Sequence, residues 1–169
     1  PLGEAEEGWQ ELALPDGRTG YTKRDFLEEY YETAPQIDPA ALRRRVADAA
    51  LAYLGVQYRW GGKSSLGLDC SGLAFMAWFA NGVLLYRDAQ IVPGFPVREI
   101  PRETMDVADL LFFPGHVALY LGGGRYLHST ARAGSSGVVI NSLDPLAPDY
   151  RSDLAQSLTA VGSVFPLEE

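Results

Sequence analysis

The segment "SGLAFMAWFANG", residues 71–82, is apolar almost all the way round at helical spacing. A helix without a polar face cannot lie on a surface, so the rest of the chain has to enclose it. The run is too short to cross a bilayer, and Asn81-Gly82 supplies its stop. The chain must therefore build a core around this helix. Its 169 residues, 47% of them hydrophobic, suffice for one ordinary domain, or one domain plus a small appendage.

The enclosing material is legible on both sides. From Asp109 onward "DLLFF", "HVALYLG", "GRYLHST", "GVVINSL" and "LTAVGSVF" read as strands. Fully apolar runs such as "VALYL" predict strands covered on both faces. Upstream, Asp38 and Pro39 mark a helix start, an N-cap acid followed by proline in the first turn. Leu42, Val46, Ala49, Ala50 and Tyr53 continue that helix and Gly55 closes it. Helices followed by antiparallel strands define an α+β class. Val83 to Asp106, rich in proline and charge, reads as irregular surface. Near the N-terminus, Pro15-Asp16-Gly17 separates two short runs and predicts a hairpin. "TAPQIDPA" then reads as a linker, dividing a β segment and linker over residues 1–34 from a main domain over 35–169.

Charge narrows the partners. A net charge of −8 without a basic stripe makes the chain a poor candidate for binding nucleic acid or anionic membrane. No apolar run reaches bilayer length, so no membrane insertion is expected. No secretory leader is visible, but the chain starts on Pro and reads as processed or a fragment, so no compartment is assigned. With one cysteine and two histidines there is no internal disulfide and no thiolate zinc site, and no metal or cofactor is expected.

The single cysteine, Cys70, directly precedes the apolar helix and follows the glycine-punctuated loop "YRWGGKSSLGL". A thiol at a helix start meets unpaired backbone N–H groups and the positive end of the dipole, which favour the thiolate and lower the thiol pKa. Gly61, Gly62 and Gly67 would let the loop backbone approach a substrate closely. Nearby N–H groups could form an oxyanion hole.

A nucleophilic thiol needs a base, and the base an orienting partner. The two histidines, His116 and His128, stand at either end of "HVALYLGGGRYLH", a hairpin with a turn at Gly122-Gly123-Gly124. If Leu121 pairs with Arg125, His128 opposes Ala118 and His116 opposes Thr130. Both rings then share a face, whereas a two-residue turn would separate them. Individually these residues have plainer readings. A free cysteine in an apolar segment is more often a small buried hydrophobe than a nucleophile. Their conjunction carries the chemical reading, and from the residues alone both readings stay open.

"YRWGG", "DCSGL" and, further on, "GHVALYLGGGRYLH" resemble the NlpC-type bacterial cell-wall cysteine peptidases. This papain-like family cuts peptidoglycan stem peptides, and the likeness runs from about Ala40 to the end of the chain. It implies a helix carrying the nucleophile packed on an antiparallel sheet. It implies Cys70 as nucleophile, His116 as general base and His128 as the orienting residue. It further implies that Asp69 and Ser71 hold the free amino terminus of the substrate, and that Tyr58 lies near the thiol and assists the oxyanion site. The expected reaction is hydrolysis of the γ-D-glutamyl–L-diamino acid bond in freed stem peptides. An amidase or acyltransferase on the same scaffold and a non-catalytic wall-binding module are the alternatives. The N-terminal "GWQELALPDGRTGYTKRDFL" looks like the closing half of a bacterial SH3-like domain, too short for a complete barrel.

Overall fold

The computed structural model describes residues 2–27 and 37–165. Half of the expected linker, residues 33–36, and the closing residues of the first expected segment lie outside them. The chain falls into two compact units, Pro1–Gln36 and Ile37–Glu169.

The first unit is a three-stranded antiparallel sheet of β1 (Leu2–Glu6), β2 (Trp9–Ala13) and β3 (Thr19–Lys23) in that order. The β2–β3 hairpin turns through Pro15-Asp16-Gly17, where the Gly17 N–H donates to the Leu14 carbonyl at 3.0 Å.

The second unit opens with α1 (Pro39–Leu51), whose first turn is capped by Asp38 accepting from the Ala41 N–H at 2.9 Å. A short ribbon, β4 (Lys63–Ser64) with β5 (Gly67–Leu68), leads into α2 (Cys70–Phe79). There follow β6 (Arg98–Ile100), β7 (Leu110–Phe113), β8 (His116–Gly122), β9 (Arg125–Thr130), β10 (Gly137–Ser142), α3 (Ser152–Ser157) and β11 (Ala160–Ser163). The last six strands form one sheet in the order β10-β9-β8-β7-β11-β6, each pair antiparallel. The class is α+β and papain-like, with α2 laid on the sheet against β8 and β9.

Strand alternation places Val117, Leu119 and Leu127 in the core beneath α2, around fully buried Trp78. Ala118, Tyr120, Tyr126 and Phe113 fill a second cluster on the opposite face, closed by Leu143, Leu154 and Leu158. That second cover explains why the strands are apolar on both faces. It comes partly from α3, a helix too short to leave a periodic signal in the sequence. The α2 helix is less enclosed than its composition suggests, since Phe79 is 54% exposed and stacks on Phe75. Arg43 of α1 reaches the sheet and bonds fully buried Asp109 at 2.8 Å and the Val107 carbonyl at 2.7 Å.

Two expectations need correction. Val83 to Asp106 is not merely surface: Leu85, Val97 and Ile100 are buried, and β6 forms a sheet edge paired with β11. The β8–β9 hairpin has a two-residue turn, Gly123-Gly124, both at positive φ as tight hairpins require. A bulge at Leu121 compensates. Gly122 pairs with Arg125, yet Tyr120 still pairs with Tyr126 and Leu119 with Leu127. The extra residue restores the register that the shorter turn would have shifted, so the histidines remain on one face.

Candidate active site

Cys70 is the first residue of α2, and the helix is capped by Asp69, whose Oδ1 accepts from the Gly72 N–H at 2.6 Å. The placement depends on glycine at two points of close approach. A Cβ on Gly72 would lie 2.1 Å from the Gly62 carbonyl oxygen, and one on Gly62 would lie 2.3 Å from that of Gly67. These glycines press the loop onto the start of α2. Contrary to the expectation from sequence, Gly62 and Gly67 serve that contact, and among the three loop glycines Gly61 lines the adjoining cleft.

The thiol is 8% exposed, and burial pushes its pKa above the ordinary value. The backbone N–H groups of Val117, Ser71 and Cys70 pull the other way without prevailing. The expected lowering at the helix start is thus reversed, because desolvation outweighs the helix terminus. The Val117 N–H belongs to the residue following His116 in β8.

His116 begins β8 just after the Pro114-Gly115 turn and is partly buried, while His128 in β9 is fully buried. Nε2 of His116 lies 2.7 Å from Nδ1 of His128, with the rings at 85°. Nδ1 of His116 has no hydrogen-bond partner among the described residues. Burial lowers both imidazoles to about 4. For His116 the neighbouring His128 adds to the effect, whereas for His128 a hydrogen bond donated to Asn141 opposes it. Both rings are therefore neutral at neutral pH.

Asp69 and Ser71 sit either side of the cysteine and are both tied to Arg87, a residue the sequence did not single out. Arg87 bonds Asp69 at 3.0 and 2.9 Å and the Ser71 hydroxyl at 2.8 Å. Oδ2 of Asp69 also accepts from the Gly61 N–H at 2.8 Å. Burial pushes the Asp69 carboxyl up, but Arg87 and these N–H groups outweigh it and hold the pKa below the ordinary value. Tyr58 stands close enough that Cys70 and Asp69, after burial, raise its pKa, so its hydroxyl remains protonated. An open cleft of about 620 Å³ exposes Cys70 between Trp60, Arg87, Asp88 and Gly115. Trp60 is 85% exposed there, and the exposed Asp88 forms no ion pair among the described residues. The arrangement provides a thiol, a neutral imidazole pair and a polar cleft, which suffices for nucleophilic acyl transfer without a cofactor.

Comparison with known proteins agrees with this architecture. Residues 55–151 match the NlpC/P60 family, and the chain belongs to that family. It is 48% identical over 157 residues to "Dipeptidyl-peptidase 6" of Lysinibacillus sphaericus, covering 93% of this chain and 57% of that protein. It is 42% identical over 87 residues to "Gamma-D-glutamyl-L-lysine dipeptidyl-peptidase" of Bacillus subtilis, covering 46% of this chain and 28% of that protein. The chain thus spans little more than half of the first relative and less than a third of the second. Among solved structures, an NlpC/P60 family protein from Bacillus cereus superposes with a TM-score of 0.72 at 24% identity, covering 98% of this chain and 53% of that one. The peptidoglycan hydrolase RipB of Mycobacterium tuberculosis superposes at 0.58 with 29% identity, covering 77% and 69%.

Proposed function

We propose that this chain is a cysteine endopeptidase that hydrolyses the γ-D-glutamyl–L-diamino acid bond of peptidoglycan stem peptides with a free N-terminal L-alanine. The observation that carries the reading is the thiol of Cys70 at the head of α2, within the influence of the Val117 amide, which follows the first member of a hydrogen-bonded pair of neutral histidines. The name of the Bacillus subtilis relative supports the γ-D-glutamyl bond, and the names of both relatives support release of an N-terminal dipeptide.

In this reading Cys70 attacks the γ-carbonyl carbon of the glutamyl residue while its proton passes to His116. The tetrahedral oxyanion is met by the Cys70 N–H and the Tyr58 hydroxyl. Its collapse breaks the C–N bond, and the departing amine takes the proton from His116. Water, deprotonated by His116, then releases the dipeptide from the thioester. His128 holds the His116 ring throughout. Because Arg87 already neutralises Asp69, the charge facing a cationic amino terminus falls to exposed Asp88, with Asp69 and Ser71 forming the wall that Arg87 braces. The N-terminal sheet is read as part of an SH3-like wall-binding module.

The test uses L-Ala-γ-D-Glu-diaminopimelate with a free or acetylated amino terminus, followed by mass spectrometry in wild type and Cys70→Ala. Cleavage of the free peptide alone, lost in the variant, is the expected result. Equal cleavage of both peptides would remove the amino-terminal gate, and cleavage of neither would overturn the peptidase assignment.

A further inference from the structure

His128 is held from its far side by a residue with no assigned role. Its Nε2 lies 2.9 Å from Oδ1 of Asn141, and Nδ2 of Asn141 donates to the main-chain carbonyl of Asp149 at 2.8 Å. Asn141 reaches this position through the sheet. His128 opposes Val139 across β9 and β10, and Asn141, two residues further along, shares its face.

The backbone carbonyl decides where the protons are. A carbonyl oxygen only accepts, so the amide group facing Asp149 is the NH2 and the group facing His128 is the oxygen. An amide oxygen also only accepts, so Nε2 of His128 carries hydrogen. In a neutral ring the other nitrogen is then an acceptor. Nδ1 of His128 therefore accepts from Nε2–H of His116, 2.7 Å away. The His116 proton is thereby placed on Nε2, leaving the lone pair on Nδ1, the nitrogen without a partner among the described residues.

We propose that Asn141, anchored on the Asp149 carbonyl, is a positioning residue that fixes the tautomer of His116 at two removes and presents its Nδ1 lone pair as the base. The inference rests on the reading of His116 as the base of Cys70. The amide is not basic and takes no proton. When Nδ1 of His116 receives the thiol proton, the ring becomes an imidazolium whose Nε2–H still donates to His128, so no second transfer is required. The charged groups facing the two rings are Arg151 and Asp153, which act in opposite directions on both. They are locked to each other at 2.8 and 2.6 Å. Tyr126, with its ring 5.3 Å from that of His128, stays neutral because burial raises its pKa to about 12. The field of this opposed pair does not select a tautomer; the hydrogen bonds do.

The test is nitrogen-15 NMR of the full chain, labelled at histidine, at neutral pH. The two rings can be assigned with single His→Gln variants. Both rings should carry their proton on Nε2. A proton on Nδ1 of His116, or averaged tautomers, in the wild type would overturn the proposal. Asn141→Ala should blur the tautomers and lower kcat roughly 10- to 100-fold with little change in KM, the range that loss of an orienting partner costs a metal-bound histidine. Wild-type tautomers and kcat in that variant would also overturn it. Asn141→Asp gives up the donor to the Asp149 carbonyl but keeps an acceptor for His128 and adds charge, so the Nε2–H form should persist and the acid limb of kcat/KM should move upward. An unmoved limb would count against the proposal even if Asn141→Ala failed to fold. The tautomers are read without substrate, so failure to cleave stem peptides would overturn the function and leave this result separately decided.

Discussion

Arg87 holds Asp69 by both carboxylate oxygens, at 3.0 and 2.9 Å, and the same guanidinium bonds the Ser71 hydroxyl at 2.8 Å. Both neighbours of the cysteine are thus fixed by a side chain from the irregular segment after α2. The Asp69 carboxylate therefore has three tasks: it caps the helix, it fixes Gly61 in the cleft wall, and it anchors that segment.

Replacing Arg87 by alanine leaves Asp69 buried and without its counter-ion. Breaking a fully buried pair costs roughly 3–5 kcal/mol. Here the Arg87 side chain is 28% exposed, and two N–H groups remain on the carboxylate. The expected loss is therefore smaller, about 1–3 kcal/mol, measured by urea denaturation. Arg87→Lys should fall between wild type and alanine, because an ammonium cannot span both oxygens. An Arg87→Ala variant as stable as wild type would refute the bracing role.

The thiol makes a separate prediction. With burial holding the Cys70 pKa above its ordinary value, alkylation by iodoacetamide should be slow at neutral pH and rise only on the alkaline side. The nucleophile would then be generated at the moment of attack, by transfer to a neutral imidazole. A rate already at its plateau below neutral pH would show a preformed thiolate instead.

Some of this was legible in the chain and some was not, for identifiable reasons. The strands from Leu110 onward and the start of α1 follow from local patterns, alternation and a cap. The two histidines on one face follow from period-two alternation, although the structure reaches that outcome by a bulge at Leu121 and not by a three-residue turn. Arg87 and Asn141 were invisible because their partners lie 18 and 13 positions away, with no periodicity linking them. Burial of Cys70 by β8 is likewise a property of the packed sheet. A helix start is readable from sequence, but the desolvation that outweighs it is not.

Acid should weaken the fold through the histidine pair. Their pKa values in the fold are about 4, below the ordinary 6.5, so the unfolded chain binds these protons more readily. Stability is then fully present above pH 6.5 and is lost as pH falls from 6.5 toward 4. The rings share one hydrogen bond and titrate as a coupled pair, so their two losses do not simply add. Asp69, whose pKa is likewise lowered, acts in the same direction at lower pH: its contribution is present above the unfolded value of 3.8 and is lost as pH falls through the lower folded value. Melting temperatures from pH 4 to 7 should climb in wild type and flatten in a His116→Gln/His128→Gln variant. A flat wild-type profile would remove the basis for a neutral pair.

Gly72 sets two effects against each other. Alanine within a helix is worth about 1 kcal/mol over glycine, so Gly72→Ala would stabilise α2 if space were available. It is not: the new Cβ would lie 2.1 Å from the Gly62 carbonyl oxygen and 2.8 Å from Oδ1 of Asp69. The first obstacle is backbone and cannot rotate away, so either the loop or the start of the helix must shift. Overpacking of this kind costs about 1–3 kcal/mol, occasionally more, which exceeds the propensity gain. The variant should unfold at lower urea, and because Cys70 is two residues away it should also lose the proposed peptidase activity beyond what its residual stability explains. Gly82→Ala supplies the contrast. That glycine lies beyond the end of α2 at positive φ with nothing within 4 Å, so any loss there is backbone strain alone and should leave the thiol undisturbed. If Gly72→Ala proved neutral or stabilising, the tight seat of the loop on the helix would not be what positions Cys70.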